Sequence, residues 1–193
     1  MRSTLKNICV FCGSRAGKDG IYTSRAKELG QLFAQNNITL VFGGGSIGLM
    51  GAIADSVLEH GGSAIGVIPE KLDKKELAHP HLTELHVVKT MHQRKALMAE
   101  LSDAFIAMPG GIGTFEELFE VATWNQLGFH SKPMGILNVR DYYKPMIALL
   151  DKSIQEGFVD DEYRDLFTIS DDPQTLLNNI HQHKLPQSVL RKY

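Results

Sequence analysis

The residues with the clearest chemical potential lie between Pro109 and Glu117, where the chain reads Pro-Gly-Gly-Ile-Gly-Thr-Phe-Glu-Glu. They follow an apolar run, Ala104–Met108, that is typical of a buried strand, and they lead into a helical pattern. Glycines at such a turn have no side chain, so a ligand can approach the backbone amides. The first turn of a helix has unpaired N–H groups and the positive end of the helix dipole, and the anion that most often binds there is phosphate. Two carboxylates directly behind this site, Glu116 and Glu117, do not help to hold a phosphate. They favour an enzyme that acts on a phosphorylated sugar.

A second candidate group lies in the helical pattern that begins at Met91. Arg94 falls on the same stripe as Met91 and Met98, which we expect to pack on the core, so its guanidinium is predicted to point inward. An arginine that only extends along apolar surface toward solvent is the common alternative. Near the first turn of a helix that leaves the carboxyl edge of a sheet, an inward arginine points at the cleft. Lys95, exposed by this periodicity, has the length to reach a phosphate.

The helix after Gly113 is predicted to pack on the sheet through positions i, i+3, i+4 and i+7, which are Phe115, Leu118, Phe119 and Ala122. That arrangement puts Glu117 on the far side of the helix, on one face with Val121 and Trp124. An apolar pair turned away from the core indicates a face covered by another subunit, so we predict a homodimer. For Glu117 the alternative is a solvated acid that stabilises the helix dipole.

The elements that must position these groups alternate between apolar runs and helical patterns, as in a parallel sheet covered on both faces. Strands are predicted at Asn7–Phe11, Ile38–Phe42, Ala64–Ile68, Leu85–Val88, Ala104–Met108 and Met134–Asn138. Helices are predicted at Gly20–Gln35, Ile47–His60, Met91–Leu101, Thr114–Leu127, Asp141–Glu156 and Pro173–His181. We therefore predict one Rossmann-like, doubly wound α/β domain over residues 1–193, with a polar tail from about residue 183 and ligands at the carboxyl ends of the strands.

Two further glycine-rich loops follow the first two strands, at residues 13–17 and 43–48. The second formally matches G-x-G-x-x-G, and Glu70 stands where a ribose-binding acid of a dinucleotide site would. A run of three glycines satisfies many such patterns, however, and this loop follows the second strand, not the first. The alternative is that both loops face one cleft and hold a mononucleotide.

Composition excludes several classes of function. The 193 residues contain 20 Lys and Arg against 22 Asp and Glu, which argues against a nucleic-acid or membrane-surface protein. No apolar run approaches the roughly 20 residues of a membrane span, and the first strand begins almost at once, so we expect no secretory signal and a cytoplasmic protein.

The cysteines and histidines predict neither a redox nor a metal site. Cys9 and Cys12 have C-x-x-C spacing, but they lie in a strand-like run, where an odd offset puts the thiols on opposite faces. A redox pair normally starts a helix, so we predict two buried structural cysteines. The eight histidines form no zinc-ligand spacing, and we expect no metal or cofactor.

Three stretches together resemble one known family. P-G-G-x-G-T-x-x-E from Pro109 to Glu117, M-H-Q-R-K from Met91 to Lys95, and G-G-G-S-I-G-L-M-G from Gly43 to Gly51 are similar to motifs of the Lonely Guy family of cytokinin riboside 5′-monophosphate phosphoribohydrolases, long labelled lysine decarboxylases. The resemblance covers about residues 7–179 in the right order. Phe115 stands where other members often carry Leu.

The resemblance implies a Rossmann-like homodimer that hydrolyses the N-glycosidic bond of a nucleoside 5′-monophosphate to free base and ribose 5-phosphate. The implied catalytic residues are Arg94 and Glu117. The implied substrate-binding residues are Ser14, Gly44, Gly45, Glu76, Arg94, Lys95, Gly110, Gly111, Ile112, Gly113, Thr114, Glu116, Glu117 and Thr123. The preferred base, prenylated or plain adenine, stays open.

Three other functions compete with the phosphoribohydrolase activity that the resemblance implies. A general AMP nucleosidase would use the same residues. A non-catalytic nucleotide or cofactor carrier shares the fold class but has no need of Arg94 and Glu117. A pyridoxal-dependent decarboxylase needs a pocket-facing lysine in apolar surroundings, and the sequence predicts none.

Overall fold

Seven parallel strands form one sheet in the computed structural model, which describes residues 5–73 and 78–186. The strands are β1 (Asn7–Phe11), β2 (Thr39–Phe42), β3 (Ala64–Pro69), β4 (Glu84–Val88), β5 (Ala104–Ala107), β6 (Met134–Leu137) and β7 (Thr168–Ser170). Their order is β4-β3-β2-β1-β5-β6-β7, and every pairing is parallel. The order reverses between β1 and β5, and open α/β sheets bind ligands outside the carboxyl ends of the strands at such a point.

Helices cover both faces of this sheet. They are α1 (Gly20–Gln35), α2 (Gly48–Glu59), α3 (Glu70–Asp73), α4 (Met91–Glu100), α5 (Ile112–Gln126), α6 (Lys144–Gln155) and α7 (Pro173–Gln182). Apolar side chains of α1, α2 and α7 form the core on one face. Those of α4, α5 and α6 form the core on the other. The predicted doubly wound α/β architecture is confirmed. Over the described residues, none of these helices combines the length and apolarity that crossing a bilayer requires.

The central strand β1 shows how the sequence sets the two faces. Ile8 and Val10 pack into the core under α1 and α2, whereas Cys9 and Phe11 pack into the opposite core. Cys12 continues the first set, so the two cysteines lie in different cores and both are buried. Burial raises the pKa of both thiols, which keeps them protonated at neutral pH. The prediction of buried cysteines on opposite faces is confirmed.

Most element boundaries agree with the sequence prediction within one or two residues. The largest error is the start of α6, which begins at Lys144 and not at Asp141. Arg140 and Asp141 adopt left-handed backbone angles, with φ of 53° and 56°, and therefore form a turn that precedes the helix. The short elements α3 and β7 were not predicted, because runs of three or four residues carry no readable period. The polar tail beyond residue 186 lies outside the described residues.

Candidate functional site

The three glycine-rich loops meet at the carboxyl edge of the central strands. The amide of Gly13 donates to the carbonyl of Pro109 at 3.1 Å, and the amide of Leu49 donates to the carbonyl of Gly13 at 3.0 Å. A side chain at Gly48, whose φ is +65°, would come within 2.3 Å of the backbone of Ser14. Glycine at this position therefore permits the close approach of two loops, as predicted for loops that share one cleft.

Helix α5 begins at this junction, and no side chain among the described residues caps its N-terminus. Its N-cap residue, Gly111, makes no side-chain capping bond, whereas Asp19, Thr90 and Asp172 cap α1, α4 and α7 with their side chains. Ile112 is 87% exposed and Gly113 is also exposed, so the start of α5 reaches solvent. A helix start without a side-chain cap leaves its first amides without partners inside the helix, and its positive dipole end suits an anion.

A cavity of about 610 Å³ adjoins this N-terminus. Residues 13–18 and 109–112 line it, together with Tyr22, Leu49 and Tyr142. Ser14 and the loop before α5 therefore line one cavity, whereas Gly44 and Gly45 do not line it. Arg94 and Glu117 do not line this cavity. Arg94 lies instead against Gly43 of the second glycine loop.

Arg94 is positioned by the rigid start of α4. Thr90 and Gln93 form a reciprocal capping box, in which the Thr90 hydroxyl accepts from the Gln93 amide at 3.1 Å. One turn later, the Arg94 Nε donates to the carbonyl of Val67 at 3.0 Å, and the side chain points inward as predicted. Arg94 is buried, but Met91 is exposed, so the prediction that Met91 packs on the core is wrong.

Arg94 and Glu117 form a buried ion pair between α4 and α5. Arg94 Nη1 lies 2.9 Å from Glu117 Oε1, and both side chains are only 11% exposed. A Cβ on Gly43 would stand 1.8 Å from Arg94 Nη2, so the guanidinium lies directly against the backbone of Gly43. Burial raises the pKa of Glu117, and this effect outweighs the opposing influence of Arg94. The structure thus brings together the two residues that the resemblance implies to be catalytic.

Lys95 forms a second link between the same two helices. Its Nζ contacts Glu116 Oε1 and lies 3.0 Å from Glu120 Oε1, and its side chain is only 10% exposed. The prediction of an exposed Lys95 is therefore wrong, because α5 supplies two carboxylates that cover it. Burial alone would lower the pKa of Lys95, but its hydrogen bonds to Glu116 and Glu120 raise it.

Helix α5 is rotated relative to the predicted packing. Its buried stripe consists of Thr114, Leu118, Val121, Ala122 and Asn125. Val121 is 3% exposed and Phe119 is 43% exposed, the reverse of the expectation that Phe119 packs on the core and Val121 faces outward. Trp124 is half-buried against the same core. Glu117 consequently lies beside the buried stripe and not on the far side, and this orientation allows it to meet Arg94.

One predicted ligand contact, Thr123, is not brought to the cleft. Thr123 is exposed, and its hydroxyl donates to the Phe119 carbonyl at 2.8 Å. It lies about 9 Å beyond Glu117 along α5 and about 120° around the helix. Glu76 lies outside the described residues. Gly44 and Gly45 are buried and contact residues 78–79, through the Gly44 carbonyl and a bridge from Gly45.

The sequence analysis missed two residues at this site. Glu120 is the second partner of Lys95, and its spacing of four from Glu116 on one helix was a usable signal. Tyr142 lines the cavity and donates its hydroxyl to the Gly110 carbonyl at 2.5 Å. No local pattern marks Tyr142, because it reaches the loop from an element 32 residues away in sequence.

These features define a Rossmann-like α/β protein with a candidate anion site and a buried Arg–Glu pair at the carboxyl edge of its sheet. The family model described as "Possible lysine decarboxylase" matches residues 50–180. The chain belongs to this family, the Lonely Guy family of phosphoribohydrolases.

Named relatives support this assignment over most of the chain. Cytokinin riboside 5′-monophosphate phosphoribohydrolase LOG3 of Arabidopsis thaliana is 46% identical over 182 residues, which cover 94% of this chain and 85% of the relative. The cytokinin riboside 5′-monophosphate phosphoribohydrolase of Rhodococcoides fascians is 50% identical over 159 residues, covering 82% of this chain and 80% of the relative.

Solved structures share the fold at lower identity. The molybdenum cofactor carrier protein of Chlamydomonas reinhardtii aligns with a TM-score of 0.70 and 21% identity, over 93% of this chain and 98% of that one. The molybdenum cofactor binding protein of Rippkaea orientalis aligns with a TM-score of 0.70 and 23% identity, over 93% and 98% of the two chains. At this identity the likeness shows the fold alone.

Proposed function

We propose that this protein hydrolyses the N-glycosidic bond of a nucleoside 5′-monophosphate, of a cytokinin riboside or of adenosine, to free base and ribose 5-phosphate. The buried Arg94–Glu117 pair behind an uncapped helix N-terminus is the observation that carries the proposal. The names of relatives 46% and 50% identical support the same reaction.

The proposed chemistry follows from the charges of the pair. Breaking the C1′–N bond leaves its electron pair on the base and builds positive charge on the ribose, as in other glycoside cleavages. The Glu117 carboxylate stabilises that charge and orients the water whose oxygen bonds to C1′, while the base takes up a proton. Arg94 stabilises the electron-rich base or holds the phosphoribosyl group. Neither role requires a cofactor.

The proposed phosphate site is the first turn of α5, with the amides of residues 111–114 as donors. Glu117 follows Gly111 by about 9 Å along the helix axis, so a phosphate at the N-terminus places the attached ribose near the carboxylate. Binding energy from the phosphate would then position C1′ for attack. Ser14, Gly44, Gly45 and the pair Lys95–Glu116 complete the proposed substrate-binding set.

The direct test is base release from two substrates. We expect free adenine from AMP, or free isopentenyladenine from isopentenyl-AMP, together with ribose 5-phosphate, measured by chromatography. A higher kcat/KM for the prenylated nucleotide supports the cytokinin reaction, and comparable values support a general AMP nucleosidase. Release of neither base contradicts the proposal.

Among the residues that the structure describes, neither lysine with a shifted pKa suits the decarboxylase chemistry suggested by the family description. A Schiff-base lysine must lose its proton readily, whereas two carboxylates raise the pKa of Lys95. Burial lowers the pKa of Lys132, but Lys132 precedes β6 and therefore lies at the opposite edge of the sheet.

A carrier that binds a nucleotide or cofactor without turnover is the second candidate, because a solved cofactor carrier protein and a solved cofactor binding protein share this fold. Burying Arg94 and Glu117 together is costly, and a carrier that holds its ligand through backbone amides gains nothing from the pair. Tight binding of AMP without base release would favour the carrier.

The pH dependence of activity should report the surroundings of Glu117. Since burial raises the pKa of Glu117, its ionised form is lost at a higher pH than for an ordinary glutamate, and the acid limb of kcat/KM should lie correspondingly high. Glu116 raises this pKa and Lys95 lowers it. We therefore expect Glu116→Gln to move the acid limb to lower pH and Lys95→Met to move it to higher pH. Shifts in the same direction would contradict the assignment.

A homodimer is proposed through the groove between α5 and α6. Phe119 and Leu149, which is 63% exposed, line this apolar groove of about 210 Å³ together with Thr123. Exposed apolar surface of this kind marks association, and Thr123 would then reach a ligand only across a subunit boundary. Leu149→Glu should shift sedimentation from dimer to monomer. A wild-type monomer at micromolar concentration that cleaves AMP would contradict this proposal.

A further inference from the structure

Tyr142 connects the turn after β6 to the loop before α5. Its hydroxyl donates to the Gly110 carbonyl at 2.5 Å, and the hydroxyl of the adjacent Tyr143 donates to the Met108 carbonyl at 2.7 Å. The intervening Pro109 carbonyl accepts from the loop after β1. Three consecutive carbonyls before the helix are therefore each held by a donor from elsewhere in the chain.

The bond from Tyr142 determines the direction of an amide. A trans peptide group is planar, so the Gly110 carbonyl and the Gly111 N–H point in opposite directions. Glycine on both sides leaves this peptide freer to rotate than any other in the loop. A donor on the Gly110 oxygen removes that freedom and aims the Gly111 N–H, one of the donors proposed to bind phosphate.

The Tyr142 ring is itself held on three sides. It stacks on Phe115 with a centroid distance of 6.3 Å and an interplanar angle of 24°. Tyr143 and Tyr22 contact it edge-on, with centroid distances of 5.2 Å and 6.4 Å. The hydroxyl therefore has a fixed position at the wall of the cavity.

The backbone before Tyr142 is strained and fixed. Arg140 and Asp141 both have positive φ, which is uncommon for residues other than glycine and persists only where the surroundings hold it. The Asn138 side chain accepts from the Tyr143 amide at 2.8 Å and donates to Asp141, while Arg140 pairs with Asp19. Such strain is typical of segments that must aim a side chain.

We propose that Tyr142 is a positioning residue for the substrate phosphate, acting through the Gly110–Gly111 peptide. This inference rests on the proposed function, because it assumes that the N-terminus of α5 binds the phosphate. Tyr142 makes the amide cradle rigid before the ligand arrives, so that no binding energy is spent on ordering the loop.

The test compares two variants by calorimetric titration with ribose 5-phosphate, inorganic phosphate and adenine. Tyr142→Phe removes only the hydroxyl, whereas Tyr142→Ala also removes the ring contacts. We expect both variants to bind ribose 5-phosphate about three- to tenfold more weakly, the effect of one hydrogen bond. Affinity for adenine should not change, and melting temperatures report whether the variants remain folded.

The outcomes separate this inference from the proposed function. Wild-type affinity in Tyr142→Phe would show that only the ring matters and would overturn the inference. A parallel loss of adenine affinity would do the same, because it indicates a general structural role. If the wild type binds neither ribose 5-phosphate nor inorganic phosphate, the proposed function and the inference are both wrong.

Discussion

Replacing Glu117 by Gln is expected to slow base release by about 10²–10³-fold, the usual cost of losing a group that stabilises transition-state charge. Gln keeps the size of the side chain and an oxygen for Arg94 Nη1, so the contact between α4 and α5 is preserved. Arg94→Ala should cost a similar factor but also destabilise the fold, because it leaves a buried carboxylate without its partner. Melting temperature and kcat should be measured together. Near-normal turnover in Glu117→Gln would exclude the proposed catalytic role.

A third variant tests the position of Arg94 without altering either charge. Gly43→Ala would place a methyl group 1.8 Å from the present position of Arg94 Nη2. The end of a long side chain can move aside, so we expect a folded protein whose guanidinium is displaced and whose kcat falls. Gly20→Ala is the matched control, because a Cβ at Gly20 meets nothing within 4 Å. Equal activity of the two variants would show that the placement of Arg94 is unimportant.

The sequence predicted the architecture well because its signals are local and repeated. A buried run such as Ala104–Ala107 needs no distant information to be recognised as a strand, and the alternation of strands with helices specifies a parallel sheet. Gly111 and its neighbours marked the candidate anion site for the same reason, since a glycine turn and a helix start are adjacent in sequence. The inward direction of Arg94 followed from helical periodicity.

The predictions that failed depended on tertiary packing. In α5, Phe119 and Val121 are both apolar, and composition alone does not say which one faces the sheet. The true stripe runs through Thr114 and Asn125, polar residues whose burial depends on partners elsewhere, such as the His130 carbonyl that accepts from Asn125 at 3.1 Å. Helical periodicity places Lys95 in solvent, because the carboxylates that cover it belong to another helix. Whether such a side chain is buried depends on contacts between different elements. A periodic pattern within one element carries no information about those contacts.

The 5′-phosphate is expected to raise kcat/KM by about 10³-fold or more for AMP relative to adenosine. Hydrogen bonds to a charged group contribute about 1.5–3 kcal/mol each, so two or three amides at the start of α5 account for a factor of this size. Rates should be compared in a buffer that lacks phosphate, since free phosphate competes for the same amides. Comparable kcat/KM for the two substrates would show that the loop before α5 is not an anion site.

Ile112→Pro tests the same site by removing one donor. Ile112 is the first residue of α5, a position that accepts proline because its N–H makes no intrahelical bond. The preceding Gly111 has φ of −104° and ψ of −158°, an extended conformation outside the α region that a following proline disfavours. The fold should therefore persist, while kcat/KM for AMP falls by roughly 10–100-fold, the value of one charge-assisted hydrogen bond.

Ile112→Ala is the control for this substitution, since it removes the same exposed side chain but keeps the amide. We expect it to cleave AMP at nearly the wild-type rate. Because adenosine has no phosphate to bind the Ile112 amide, the slow rate of its cleavage should be equal in both variants and in the wild type. The ratio of AMP to adenosine rates therefore isolates the contribution of a single backbone N–H. An unchanged ratio in Ile112→Pro would move the phosphate site away from the N-terminus of α5.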